Sequence, residues 1–328
     1  MLTGAPLSRQ ARPKSVYCVS TSSPVCFHKK WSRTRSHPTT QGCVYRIESM
    51  YAPSLDRTDS ANHVHPPILD LSKPDAELRG TVRAALMNTL TPMVGLVNHG
   101  CESACSALAE AMRGQIAAAG GLGEVKEQAC QIEGACATAA AELRACLRDV
   151  CLRALRVALD DESIDQTLAT RGLDLEGRLC LRVYPSLAES SRIVDANVPL
   201  RLGAHCDSTL MTLLWSDSPG LQVLDPQRAA EWTSAAILRY GLPTMGDVDA
   251  VTALREDQWA TVILPWHANP LLLTLGTSWL SSELTATACP ARCAVLHRVS
   301  LPTERTRHSL PFLADLVAVE AVTCTPRP

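Results

Sequence analysis

Aromatic side chains are scarce in this chain of 328 residues, which contains two Phe, five Tyr and six Trp. With so few rings, a pocket that stacks flat aromatic ligands has little support. Long apolar runs are also lacking, since no segment approaches the roughly 20 residues that a membrane-spanning helix needs. The sequence therefore predicts no membrane partner.

The distribution of charge argues against nucleic acid as a partner. The net charge is −2, but residues 1–47 hold eight Lys or Arg and no Asp or Glu. The rest of the chain has 23 basic and 33 acidic residues, which gives it a net charge of −10. A surface with this excess of acid repels a phosphate backbone, so we expect no nucleic-acid partner.

The first 49 residues are rich in Ser, Thr, Pro and Arg and show no apolar periodicity. Organellar transit peptides share this composition, and so does untranslated sequence that has been wrongly joined to a gene model. We expect residues 1–49 to be a disordered or transit-like segment. The protein is then intracellular: cytoplasmic if translation starts at Met50, and in a plastid or mitochondrion if residues 1–49 are a transit peptide.

Fourteen cysteines suggest a disulfide framework until their positions are considered. Several of them, including Cys101 and Cys146, lie in an Ala-rich stretch of helical character, and no secretory apolar segment precedes them. We therefore expect reduced and mostly buried thiols.

The pattern of the chain changes near residue 166. Before it, short strands near Ile68 and Gly95 accompany amphipathic helical stretches. After it, short runs of β-type residues alternate with Gly and Pro, which is typical of a sandwich or jelly roll and not of a parallel sheet with crossover helices. We expect residues 50–165 to form an N-terminal strand and helical region, residues 166–316 a β core, and residues 317–328 a tail.

Three short motifs carry the candidate chemistry: His205-Cys206-Asp207, His297-Arg298-Val299 and Arg307-His308-Ser309. In a strand, residues i and i+2 point to the same side, so His205 and Asp207 can bind one metal. If His297 joins them from a distant strand, two imidazoles and one carboxylate cap one face of an octahedral Fe(II) ion. The opposite face stays open for O2 and an acid cosubstrate. These three residues are the predicted metal ligands and catalytic residues of an iron-dependent oxygenase.

The neighbours of these motifs extend the pattern to the segments 181–185, 203–207, 213–214 and 220–223. With them, the chain resembles the isopenicillin N synthase-like family of Fe(II)/2-oxoglutarate-dependent dioxygenases from about Pro66 to Phe312. The resemblance implies a mainly β fold with α, in which a double-stranded β-helix (jelly roll) core carries an N-terminal helical layer. It also implies Fe(II) as the metal, with 2-oxoglutarate and O2 as cosubstrates.

The resemblance assigns roles to three further residues. Arg307 would pair through its forked guanidinium with the far carboxylate of 2-oxoglutarate, a geometry that Lys cannot copy. Ser309 and Tyr184 would add hydrogen bonds to the same carboxylate. The chain departs from the family in an insertion near residues 228–258, and in Arg182, where an asparagine often precedes the tyrosine by two residues.

The function implied is hydroxylation or desaturation of a small organic metabolite. Asp207 is a carboxylate, so the coordination position that halogenating relatives leave for halide is filled. Three alternatives stay open. The protein could be an iron-dependent oxidase that does not use 2-oxoglutarate, with Arg307 holding the substrate itself, or a catalytically impaired relative that only binds a ligand. The third alternative is a faulty gene model, in which case the chain does not fold as written. The sequence does not predict the oligomeric state.

Overall fold

Two β-sheets with a layer of helices form the described part of the protein. The computed structural model describes residues 63–87, 91–118, 128–129, 135–186, 200–225, 256–291, 294–300 and 305–319. The segment 1–49, almost all of the insertion expected near 228–258 and residues 320–328 of the expected tail lie outside these residues. The described residues belong to one unit, Arg57–Pro328.

The helices and strands follow one another along the chain with most of the helices first. The helices are α1 (Asp75–Met87), α2 (Glu102–Ala118), α3 (Ala135–Leu159), α4 (Ile164–Thr170), α5 (Thr277–Ser281) and α6 (Glu283–Ala288). The strands are β1 (His63–Val64), β2 (Ile68–Asp70), β3 (Met93–Val97), β4 (Gln128–Ala129), β5 (Leu173–Leu179), β6 (Arg182–Tyr184), β7 (Leu200–His205), β8 (Met211–Ser216), β9 (Leu221–Leu224), β10 (Trp259–Val262), β11 (Leu271–Leu275), β12 (His297–Ser300) and β13 (Arg307–Ala318). The fold is therefore mixed, with a mainly β core and helices, as the sequence predicted.

The strands pair in two sheets. The small sheet has the order β1-β10-β9-β12-β7, and the large sheet has the order β2-β3-β11-β8-β13-β6-β4, with β5 alongside β13. The pairs β1/β10 and β2/β3 are parallel, and the other described pairs are antiparallel. This is the antiparallel arrangement that the short, Gly- and Pro-separated runs indicated.

Alternation along the strands of the large sheet separates its two faces. On β13, Leu310, Phe312 and Ala314 belong to the main apolar core together with residues of α1, α2 and α3. Their neighbours Arg307 and Ser309 line a cleft on the other face. Because strand side chains point alternately to opposite faces, one sequence register packs the helices and builds the cleft at the same time.

A second apolar cluster lies between the sheets. It joins Met93, Tyr184 and Leu272 of the large sheet to residues of β9, β10 and β12 in the small sheet. The cleft therefore opens between two sheets whose facing sides are held together by buried side chains, which gives its walls rigid positions.

The helical layer is tied together by charge as well as by packing. Asp75 in the first turn of α1 accepts a hydrogen bond from Arg153 Nε of α3 at 2.7 Å, and its other oxygen lies 3.7 Å from Arg156 Nη1. These contacts anchor α1 against α3 over the core. None of the helices in the described ranges is both long enough and apolar enough to cross a membrane.

The expectation that all cysteines are reduced is wrong for one pair. Cys101, just before α2, forms a disulfide with Cys146 of α3, 45 residues away. Packing of α2 against α3 brings the two sulfurs together, and helical periodicity alone does not reveal that proximity. Six other described cysteines are free thiols, of which five are buried: Cys105, Cys136, Cys151, Cys206 and Cys289.

Candidate functional site

Antiparallel pairing of β7 with β12 brings two distant histidines side by side. β7 ends at His205, β12 begins at His297, and the two residues are direct partners in the register of the strands. Their ring centroids are 4.3 Å apart. Asp207 lies two residues beyond the end of β7, in the turn that leads to β8.

These three side chains offer a set of donors to one metal ion. Asp207 Oδ1 lies 3.6 Å from His205 Nε2 and 3.9 Å from His297 Nε2, and one ligand atom of each residue lies within 4.8 Å of the others. Donors that bind one first-row divalent ion at about 2.1 Å are separated by roughly 3 to 4 Å. The described residues therefore fit a metal ion with only small rotations of the side chains.

Hydrogen bonds to the far side of each donor set its orientation. His205 Nδ1 lies 2.8 Å from the Gly203 carbonyl oxygen, and His297 Nδ1 lies 3.0 Å from the Val295 carbonyl oxygen. When each Nδ1–H donates to its carbonyl, the Nε2 lone pair of each ring is left for an ion, which is the usual arrangement around metal-binding histidines. Both contacts join residue i to residue i−2, so the strand ends themselves select the tautomer.

Asp207 is held in the same way. The Thr212 hydroxyl of β8 donates to Asp207 Oδ2 at 2.6 Å, so Oδ1 is the oxygen that faces both imidazoles. Burial acts to raise the pKa of Asp207, but the hydrogen bonds and charges of His205, His297 and Thr212 outweigh it and hold the pKa below its usual range. The carboxyl is therefore ionised at neutral pH, as a metal ligand must be.

Burial has the opposite result at His297. Desolvation lowers the pKa of His297 against the attraction of Asp207, and the positive charges of His205 and Arg182 push in the same direction as burial. Neutral imidazole is the form that coordinates a metal. When both imidazoles coordinate in this neutral form, they and the one carboxylate give the donor set a single negative charge, which suits a divalent cation.

The turn that carries Asp207 packs against Gly276, at the end of β11. The Asp207 carbonyl accepts a hydrogen bond from the Thr277 N–H at 2.8 Å. A Cβ on Gly276 would lie 2.0 Å from the Thr209 carbonyl oxygen and 2.9 Å from that of Asp207. Because these are backbone atoms that cannot swing aside, glycine is required here for the turn to take its position.

Arg307 lies deep in the same cleft and is 1% exposed. Its Nε donates to the Ser218 carbonyl at 3.2 Å, and its guanidinium carbon lies 5.4 Å from the centre of the Tyr184 ring. Burial lowers the pKa of Arg307, while Tyr184 and Asp217 oppose the shift; the guanidinium keeps its proton. Its Nη1 is buried and has no hydrogen-bond partner within the described ranges, which leaves a charged donor for an anionic ligand.

All six residues singled out from the sequence line one cleft. Tyr184 stands opposite Arg307 in the pairing of β6 with β13, and Arg182 stands opposite Ser309. The other lining residues are mostly apolar: Leu202, Leu214, Leu221, Val299, Pro311 and Leu313. Donors for a metal thus share an apolar cleft with a buried cation, a combination suited to a metal-bound organic acid.

Sequence reasoning missed the residues that support these groups. Thr212 follows Asp207 by five positions, and its threonine hydroxyl in a strand of leucines was the only available signal. Asp217 and Ser218 lie in the turn between β8 and β9, where only the tertiary structure places the Ser218 carbonyl beside Arg307. Gly220 of the same turn belongs to the segment 220–223 noted in the sequence, but its contact with Arg307 was not foreseen. Cys206, between the two ligands, packs in a small apolar cluster with Trp259.

Comparison with known proteins finds similarity at the level of structure only. No protein-family model matches the chain, and no curated protein matches it significantly in sequence. Similar solved structures include a full-length Neurospora crassa protein in complex with alpha-KG and thymine, with 16% identity, a TM-score of 0.48, and coverage of 79% of this chain and 88% of that one. Another is AtDAO1, the dioxygenase for auxin oxidation 1 from Arabidopsis thaliana, with 2-oxoglutarate, at 15% identity, a TM-score of 0.44, and coverage of 76% and 91%.

A third similar structure is JOX2 in complex with 2OG, Fe and JA, with 17% identity, a TM-score of 0.42, and coverage of 82% of this chain and 81% of that one. Since all three TM-scores lie below 0.5, the chemistry of this chain has to be inferred from its own site.

Proposed function

We propose that this protein is an Fe(II)- and 2-oxoglutarate-dependent dioxygenase that hydroxylates or desaturates a small organic metabolite. The observation that carries the proposal is the convergence of His205, Asp207 and His297 in a cleft that also holds the buried, unpartnered Nη1 of Arg307. Two imidazoles and one carboxylate are the donor set of non-haem Fe(II) oxygenases. The guanidinium is the side chain best shaped to pair with a carboxylate.

In this proposal His205, Asp207 and His297 would hold the iron, which would supply O2-dependent oxidation when bound. Arg307 binds the far carboxylate of 2-oxoglutarate, while Ser309 and Tyr184 line the same part of the cleft and add hydroxyl groups. The apolar walls exclude water around the bound acid, which strengthens the pairing of its carboxylate with Arg307.

We further propose that the two sheets form a distorted double-stranded β-helix, with residues 50–165 as its N-terminal helical layer and 166–316 as its core. Support comes from the main apolar core, which is shared by α1, α2, α3 and the outer face of the large sheet. Because they share one core, residues 50–165 and 166–316 are expected to fold as a single unit. We expect a variant that begins at residue 166 to be insoluble, because removal of α1, α2 and α3 exposes the outer face of the large sheet to water.

The direct test is anaerobic loading of the full chain with Fe(II), followed by exposure to O2 with 2-oxoglutarate and a panel of small metabolites. We expect succinate to form in proportion to 2-oxoglutarate consumed. His297→Ala should abolish iron binding and turnover, whereas the control His267→Ala, which changes an exposed histidine outside the cleft, should leave both unchanged.

Three results would point elsewhere. Iron binding and O2 consumption without succinate would favour an oxidase in which Arg307 holds the substrate. Iron and 2-oxoglutarate binding without any turnover would favour a ligand-binding relative. Failure of the wild-type protein to bind Fe(II) more tightly than His297→Ala would refute the proposed metal site.

A further inference from the structure

We propose that Asp217 and His308 are positioning residues that set the guanidinium of Arg307 for the far carboxylate of 2-oxoglutarate. This inference rests on the proposed function, because it concerns how the same cleft recognises its cosubstrate. It assigns a role to a hydrogen-bonded Asp–His pair outside the cleft that neither the metal centre nor the apolar core explains.

Asp217 follows β8 directly and makes three hydrogen-bonding contacts with His308 of β13. Its Oδ2 lies 2.7 Å from His308 Nδ1, its Oδ1 accepts the His308 backbone N–H at 2.9 Å, and its own N–H donates to the His308 carbonyl at 3.2 Å. His308 is 5% exposed and lies on the face of β13 opposite to that of Arg307, its neighbour. The pair therefore joins the turn after β8 to the start of β13 from behind the cleft.

Other charged groups face the same carboxylate. Arg113 Nη1 of α2 lies 3.7 Å from Asp217 Oδ2, and Arg305 donates through Nη2 to the Asp217 carbonyl oxygen at 2.5 Å. The Ser218 hydroxyl donates to Asp217 Oδ1 at 3.0 Å. Burial acts to raise the pKa of Asp217, but the hydrogen bonds and charge of His308 and Ser218 outweigh it and lower the pKa below the usual value. The carboxyl is accordingly a charged acceptor that organises the turn.

The turn held by Asp217 places the next residue, Ser218, against the side chain of Arg307. The Ser218 carbonyl accepts the Nε–H of Arg307 at 3.2 Å, and the Ser216 hydroxyl donates to the same carbonyl at 3.0 Å. Nε lies in the plane of the guanidinium, so its acceptor fixes the direction in which the outer nitrogens point. Nη1 is then left buried without a partner among the described residues, in a side chain that lines the cleft.

Gly220 completes the support for Arg307. It adopts a φ of +134°, and a Cβ there would lie 3.1 Å from Arg307 Cδ and 3.4 Å from Nε. Its carbonyl oxygen accepts hydrogen bonds from the Ser300 N–H at 2.9 Å and the Ser300 hydroxyl at 3.1 Å. The turn is thus pinned to β13 at one end and to β12 at the other, with the arginine side chain lying between these two attachments.

Fixing the arginine before the ligand arrives lowers the entropy lost on binding. A free Arg side chain loses rotamer entropy when a ligand fixes it, and preorganisation removes part of that loss from the binding step. Removal of Asp217 frees the Ser218 carbonyl to move and Arg307 with it. We therefore expect a loss of affinity only for ligands that reach Arg307. The affinity for a ligand that binds the metal but carries no second carboxylate should not change.

The test compares two 2-oxo acids that differ in that carboxylate. Calorimetric titration of the full chain, loaded anaerobically with Fe(II), measures the Kd for 2-oxoglutarate and for 2-oxopentanoate. We expect Asp217→Ala to weaken binding of 2-oxoglutarate about tenfold, the scale of one hydrogen bond to a charged group, and to leave 2-oxopentanoate within about twofold. The double variant Asp217→Ala/Arg307→Ala should bind 2-oxoglutarate no more weakly than Arg307→Ala alone.

A matched control is available in Asp75, whose side chain is 17% exposed against 18% for Asp217 and is also paired with arginine. Asp75→Ala should change neither Kd, although it removes an equally buried carboxylate. If Asp217→Ala does not fold, His308→Ala is tested in its place, with His308→Asn as the conservative variant that keeps an N–H donor and should restore part of the affinity.

The outcomes separate the inference from its premise. Equal weakening of both acids by Asp217→Ala and His308→Ala, or no weakening of either, would overturn the positioning role while leaving the proposed function standing. If the wild-type protein binds both acids equally well, or Arg307→Ala binds 2-oxoglutarate as the wild type does, the assigned role of Arg307 fails and the inference fails with it.

Discussion

Substitution of Thr212 by valine isolates the hydrogen bond that orients the candidate carboxylate ligand. Valine matches threonine in shape, so Thr212→Val removes the 2.6 Å bond to Asp207 Oδ2 and leaves the packing of β8 in place. Hydrogen bonds to charged groups contribute about 1.5 to 3 kcal/mol. Loss of such an outer contact typically weakens metal binding about 10- to 100-fold, and the two estimates agree because a factor of ten corresponds to about 1.4 kcal/mol.

The same substitution also removes one of the contacts that lower the pKa of Asp207. The carboxyl stays ionised at neutral pH without this contact, so the expected loss of affinity comes from the lost orientation of Asp207. We therefore expect Fe(II) binding of Thr212→Val to weaken about 10- to 100-fold at neutral pH. Anaerobic competition of the protein with a chromogenic chelator measures this change.

Thr274 provides the control for this experiment. It stands directly opposite Thr212 in the pairing of β11 with β8, lines the same cleft and is 6% exposed against 4% for Thr212. Its hydroxyl makes no hydrogen bond to the described part of the chain, so Thr274→Val should retain the affinity of the wild type. Equal affinities for Thr212→Val and wild type, or equal weakening in the two variants, would refute the orienting role of Thr212.

Three further predictions follow from the same structure. Gly276→Ala places a Cβ 2.0 Å from a backbone oxygen of the turn that carries Asp207, so we expect lower Fe(II) affinity and a lower Tm, measured by chelator competition and thermal unfolding. Cys146→Ser opens a loop of 45 residues closed through Cys101, and should lower the free energy of unfolding in urea by about 2–4 kcal/mol, with dithiothreitol producing no further loss. The pKa of Asp217 is lower in the folded state than in the unfolded state, so its ionised carboxylate stabilises the folded protein. This contribution to the free energy of unfolding is complete above the unfolded-state pKa of about 3.9 and is lost as the pH falls through the folded-state pKa. Urea unfolding of chelator-treated protein between about pH 5 and pH 3 should therefore show a shallower loss of stability for Asp217→Asn than for wild type.

The residues predicted for the site could be found because their chemistry is local. Arg307 and Ser309 are two positions apart in β13, and the alternation of the strand places them on one side. His205 and Asp207 have the same spacing, but β7 ends at His205, so it is the turn after the strand that brings Asp207 back to the histidine. In the structure all four line one cleft. Their roles in binding iron and 2-oxoglutarate stay predictions until the titrations above are made.

Other features could not be read from local patterns. Fourteen cysteines allow many pairings, and whether Cys101 meets Cys146 depends on which faces of α2 and α3 pack together. The support of Arg307 depends on the turn between β8 and β9, which lies about 90 residues away along the chain. Periodicity carries no information about such contacts, because it describes one element at a time.

The amino-acid sequence alone determined the alternation of apolar and polar positions in the strands, and with it which side chains on a strand can act together. Only the tertiary structure decided that β12 lies beside β7 in a register that makes His297 the direct partner of His205. The reason is that strand alternation is a property of the local backbone, whereas the pairing of distant strands minimises the free energy of the whole core, to which the apolar residues of both sheets contribute.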